Sequence, residues 1–191
     1  MKCLFRKLLL ALPLPALLLA LGCAEMPAGV APEAAADAPL FNNGQGNPDL
    51  GKLAKFNTKP SITIAWAKKW IGPEGGRLDF QGFAIEVPAG AVGRTTQFSI
   101  RLPVDPHGSE RVMAEFGPHG ATFAQPVFIE LPLAGTSIEN SATHFIVWWS
   151  NDWMDMGGSI TDDGQRLRTT TSHFSTYGTT DQRGVVITSG G

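Results

Sequence analysis

Phe98-Ser99-Ile100-Arg101-Leu102, closed by Pro103, is the stretch that decides the fold. Apolar and polar residues alternate strictly, and only a strand with one buried face requires a period of two, because successive side chains point to opposite sides. The same period recurs on both sides. Upstream, Ile62, Ile64 and Trp66 alternate with Thr63 and Ala65, and Phe83, Ile85 and Val87 with Ala84 and Glu86. Downstream, Val127, Ile129, Leu131 and Leu133 alternate with Phe128, Glu130 and Pro132, and Leu167, Thr169 and Thr171 with Arg166 and Arg168. Gly/Pro/Asp punctuation separates the runs, as in Gly72-Pro73-Glu74-Gly75-Gly76, Pro88-Ala89-Gly90, Gly117-Pro118-His119-Gly120 and Asp162-Asp163-Gly164. No stretch after Ser61 carries a helical stripe over three turns. Short strands at this spacing predict an all-β fold, an antiparallel sandwich or barrel over residues 61–178 with a tail at 179–191.

The hairpin His144–Met154 has two apolar faces, Phe145/Val147/Trp149 and Ile146/Trp148, with a turn expected at Ser150-Asn151-Asp152. Such a strand is either central or partly exposed for binding. Trp148, Trp149 and Trp153 therefore admit two readings: indoles presented to a glycan or peptide, or core residues.

Working outward to the N-terminus, Lys2, Arg6 and Lys7 precede an apolar run from Leu8 to Leu21. Its 14 residues are too few to span a bilayer as a helix, which takes roughly 20. The pattern is that of an export signal over residues 1–22. Its end, Leu19-Ala20-Leu21-Gly22-Cys23, resembles the lipobox of bacterial lipoproteins. That resemblance implies cleavage before Cys23, a diacylglycerol on its thiol and acylation of the new amine. It also implies a membrane partner reached through lipid; Ala24 after the cysteine points to the outer membrane in a Gram-negative host. The other reading is an ordinary signal cut after Ala24. The second cysteine, Cys3, lies inside the signal, so the exported chain has no internal disulfide.

Residues 23–60 follow as lipidated cysteine and tether, dominated by Ala, Pro, Gly and Asn; as a coil, the 37 residues 24–60 span about 35 Å. Packing of Leu50 to Phe56 on the domain is the alternative for its last part. Removal of residues 1–22 leaves 12 basic against 17 acidic residues, a net charge of −5. That balance disfavours binding to a nucleic-acid backbone.

A second resemblance rests on fragments within the folded part: Gly75-Gly76-Arg77-Leu78; Ile85-Glu86-Val87-Pro88-Ala89-Gly90-Ala91-Val92; Phe116-Gly117-Pro118-His119-Gly120-Ala121-Thr122-Phe123; Pro126-Val127-Phe128-Ile129-Glu130-Leu131-Pro132; and His173-Phe174-Ser175-Thr176-Tyr177. In order and spacing these resemble the ZU-five domain, a β-sandwich module of tight-junction scaffolds, netrin receptors and ankyrins with relatives on bacterial surface proteins. The resemblance implies a non-enzymatic structural or interaction module, here contacting envelope protein or glycan. Gly76, Pro88, Gly90, Gly117, Pro118 and Pro132 are expected as structural punctuation.

His173-Phe174-Ser175 also resembles the triplet at which some animal relatives cut themselves. There Ser175 Oγ would attack the Phe174 carbonyl while His173 takes its proton, and water would hydrolyse the resulting ester. The structural alternative is a closing strand with Phe174 in the core. No cofactor and no metal are expected: His107, His119, His144 and His173 lack ligand spacing, and Asp152, Asp155, Asp162 and Asp163 are explained by turn chemistry.

Overall fold

The computed structural model describes residues 49–61, 65–103 and 110–184. Cys23, the expected export signal, most of the expected tether, Ile62 to Ile64 and His107 lie outside the described residues. The elements are a single 3₁₀ turn, Leu50–Lys52, and eleven strands: β1 Trp66–Ile71, β2 Gly76–Phe80, β3 Phe83–Val87, β4 Thr96–Arg101, β5 Met113–Gly117, β6 Val127–Pro132, β7 Phe145–Trp149, β8 Trp153–Asp155, β9 Ser159–Ile160, β10 Arg166–Thr171 and β11 Thr176–Thr180. They form two antiparallel sheets, β1-β4-β5-β11-β7-β8 and β2-β3-β6-β10-β9. The chain is thus an all-β antiparallel sandwich, as the alternation of residues 83–87, 98–102, 127–133 and 167–171 requires. Among the described residues no helix is long and apolar enough to cross a membrane.

The core lies between the sheets and takes one face of each strand. Phe83, Ile85, Phe98, Ile100, Phe116, Ile129, Leu131, Leu167 and Tyr177 are buried there. Phe174 sits among Phe98, Phe116 and Phe123 at centroid distances of 5.9, 6.2 and 5.0 Å. Each such ring pair adds about 1 kcal/mol beyond the area it buries.

Turn chemistry sets the registers. Gln81 and Gly82 both have positive φ and form the two-residue turn that pairs Phe80 with Phe83. Gly75 has φ +80°, and a Cβ there would come within 2.5 Å of the Val87 carbonyl oxygen and 2.7 Å of the Ala89 nitrogen. Any side chain at Gly75 would push the β1–β2 turn off the end of β3.

The structure moves several expected boundaries. β1 runs from Trp66 to Ile71, beyond the alternation read over residues 62–66. The tether drawn to residue 60 ends earlier, because Leu50 to Phe56 packs on the domain as a strap. Leu53 and Ala54 are buried. Ala54 N–H donates to the Thr179 carbonyl (2.8 Å), and the Ala54 carbonyl accepts from Val112 N–H (2.9 Å). At the other end β11 extends to Thr180, so the expected tail starts two residues too soon.

Leu50 and Leu53 of the strap lie on the outer face of the six-stranded sheet, while Ala54 and Phe56 pack into the main core. Gly178 of β11 makes room for Leu53, since a Cβ there would stand 2.7 Å from Leu53 Cδ2. Leu53 joins Met113, Val147, Trp149 and Trp153 in a second, smaller core on that face.

Candidate functional site

His173, Phe174 and Ser175 do not form a strand. They make the crossover from β10 to β11, which carries the chain from one sheet to the other. Tyr177 fixes this corner: its hydroxyl donates to the His173 carbonyl at 2.7 Å and lies 2.9 Å from Thr171 Oγ1, which reaches the same carbonyl at 2.7 Å. Burial pushes the Tyr177 phenol up to about 12, so it stays a neutral donor.

The His173 ring stands edge-on to Trp148 at 4.6 Å, and its buried Nε2 has no hydrogen-bond partner. Burial lowers the imidazole pKa, which favours the neutral ring. Ser175 is buried, and its hydroxyl donates to the Trp149 carbonyl at 3.3 Å. A general base must lie within hydrogen-bond reach of the proton it takes. Here the two side chains face different partners, so the triplet is adjacent in sequence without forming an imidazole–hydroxyl pair.

The tryptophan hairpin resolves toward the core. Asn151, with φ 64°, makes the turn expected at Ser150-Asn151-Asp152. Trp149 and Trp153 are 6% and 2% exposed and pack edge to face at 5.2 Å. Trp153 Nε1–H donates to the Asp49 carbonyl at 2.9 Å, so this indole clamps the start of the strap. Trp148 packs against the sandwich core. Trp149 and Trp153 are thus core side chains, the second of the two readings, while Trp148 is half-buried.

The acidic turn residues are used locally. Asp152 Oδ1 accepts from Trp153 N–H, Asp155 Oδ1 from Gly157 N–H, and Asp163 Oδ1 from Thr161 Oγ1 and Gln165 N–H.

The densest polar cluster was not anticipated as a unit. On the outer face of the five-stranded sheet, Glu130 of β6 is 5% exposed and receives Arg77 at 2.6 Å, Arg166 at 3.0 Å and Arg168 at 2.5 Å. Glu86 and Asp79 complete the charge balance from β3 and β2. Burial disfavours the Glu130 carboxylate, but hydrogen bonds from the three arginines outweigh it and hold its pKa at about 2. Register builds the cluster: Glu130 pairs with Arg168, and Arg77 with Glu86. Its signal in the sequence is the polar half of the alternation, Glu86, Glu130, Arg166 and Arg168. Three cations against three anions leave no surplus to draw a charged ligand, so the cluster acts as a clamp across four strands.

The exposed large apolar residues were also missed as a set. Trp66 and Trp70 of β1 are 48% and 63% exposed, on the outward face of an edge strand. Lys68 stands between them with its ammonium 4.4 Å from the Trp66 ring centroid. No family model and no curated protein matches the chain.

Proposed function

We propose that the protein is a lipid-anchored cell-envelope module that acts by contact rather than catalysis. One observation carries the reading: a basic start, a 14-residue apolar run and Gly22-Cys23 stand in the sequence ahead of an all-β sandwich. Two or three acyl chains on Cys23 hold a domain on a membrane stably, where a single chain binds marginally. The ZU-five-like fragments agree with an interaction role. Gly75 lies at the β1–β2 turn, Pro88-Ala89-Gly90 follows β3 and Gly117-Pro118 ends β5, so they serve the sandwich. Commitment of Ser175 Oγ to the Trp149 carbonyl favours contact over self-cleavage.

Labelling of expressing cells with radioactive palmitate tests the anchor. Label is expected on the wild-type chain and absent from Cys23→Ser; equal label in both refutes it. Intact mass of the purified chain tests the rest. The expected product runs from Cys23 to Gly191, and a 17-residue fragment beginning at Ser175 would instead establish self-cleavage.

A further inference from the structure

We infer that Trp66, Lys68 and Trp70 form a second contact with the anchoring membrane, seating the outer face of the six-stranded sheet on anionic lipid headgroups. The inference rests on the proposed anchor at Cys23 and adds a site to it.

The face is defined by register. Ala67 packs on the core and Ile71 is buried in it, so Trp66, Lys68 and Trp70 point outward. Opposite them on β4 stand Arg101, Ser99 and Gln97. The outward positions of β1 and β4 thus hold two cations and no acidic residue, in an exported chain whose net charge is −5. Arg101 is paired with Glu115 of β5, which also meets His119. With Arg101 paired, Lys68 supplies the strip's charge toward lipid phosphates, against the sign of the whole molecule's charge. Tryptophan prefers the headgroup region, where its ring meets acyl carbon and its N–H meets water, and lysine carries its ammonium outward along an apolar stem.

The route of the chain selects this occupant. The first part of the strap, Leu50 and Leu53, lies on the same outer face, against Gly178 and Met113. The described chain therefore enters the domain on the face that carries the two indoles. Twenty-five residues of the sequence separate Cys23 from Asp49. With this face toward the lipid, the connection need not wrap around the sandwich. Tethering also raises the local concentration of the module at the lipid surface to about the millimolar range, so a weak contact suffices.

The test uses the chain from Cys23 to Gly191, in which Cys23 is the sole thiol. A maleimide lipid is coupled to it, and the product is inserted into phosphatidylglycerol/phosphatidylcholine vesicles with or without shallow bromine-labelled acyl chains. Bromine is expected to remove the emission of two of the five indoles, and the loss should vanish in Trp66→Ala/Trp70→Ala. Lys68→Glu, which keeps both indoles, should reduce the quenching at least twofold. Emission equal with and without bromine, or quenching retained in the double variant, overturns the inference. So does a tryptophan shift evoked by cell-wall polysaccharide but not by vesicles, which would assign the strip to a glycan. Because the lipid is attached chemically, an unlabelled chain in the palmitate experiment would sink the anchor without deciding this result.

Discussion

Two side chains, Glu130 and His173, carry the residue-scale energetics. The folded carboxyl of Glu130 titrates near 2, whereas an ordinary glutamate titrates near 4.5. Below 4.5 the unfolded chain takes up a proton that the folded chain refuses. The stabilisation is therefore complete above 4.5 and is lost as pH falls from 4.5 to 2; it is on the order of 3 kcal/mol. Urea midpoints of the wild type should fall across that window, and Glu130→Gln should lose that part of the slope. At neutral pH the same variant should cost about 3 kcal/mol, because three arginines lose the anion that compensates them. His173 has the same sign for a different reason. Its folded pKa is depressed by burial, so stability falls as pH drops through 6.5 and the unfolded imidazole protonates. His173→Phe removes an unpaired buried nitrogen and keeps a ring against Trp148. It should gain about 1 kcal/mol at neutral pH and flatten the dependence just below 6.5 in the same urea series.

At the scale of elements, the strap shows what alternation alone reads and what it does not. β3, β4 and β6 are legible because large apolar side chains fall on every second residue, and these are buried. β2 was legible in principle from Leu78 and Phe80 against Arg77 and Asp79, but the Gln81-Gly82 turn that closes it lacks the usual Asn or Asp. The strap has no period, since Leu50, Leu53 and Phe56 are held by a 3₁₀ turn, a pocket and a bridge in succession. Its receptor, Gly178, is a missing side chain rather than a motif, and only three-dimensional register reveals why a glycine stands inside β11. Gly178→Val should expel Leu53 while leaving the sandwich core closed. Amide exchange should then show lost protection at Ala54, whose N–H is held by Thr179, with little change in β4 or β6. A loss of protection spread evenly over both sheets would show instead that the strap is integral to the core. Leu53→Ala, which keeps the backbone bonds, should cost about 3 kcal/mol through its cavity.

At the scale of the whole molecule, the five tryptophans divide in a way their spacing conceals. The hairpin holds three of them within Trp148–Trp153, and two apolar faces admit a central strand or an exposed one; the strap covers one face and the sandwich packs on the other. Trp66 and Trp70 share one face of β1, and whether a partner sheet covers that face depends on where the strand falls in the sheet order. Edge strands remain soluble through charge, and Lys68 and Lys69 in β1 serve that end. The division is measurable without a ligand. Acrylamide should quench the wild-type chain with a downward-curving Stern–Volmer plot, because an accessible class of indoles coexists with a shielded one. Trp66→Phe/Trp70→Phe should remove most of the accessible class and shift the remaining emission to the blue, since Trp149 and Trp153 are buried. If quenching persists undiminished in that variant, the hairpin indoles are reachable from solvent, the strap does not stay closed, and the second core on the outer face of the sheet fails with it.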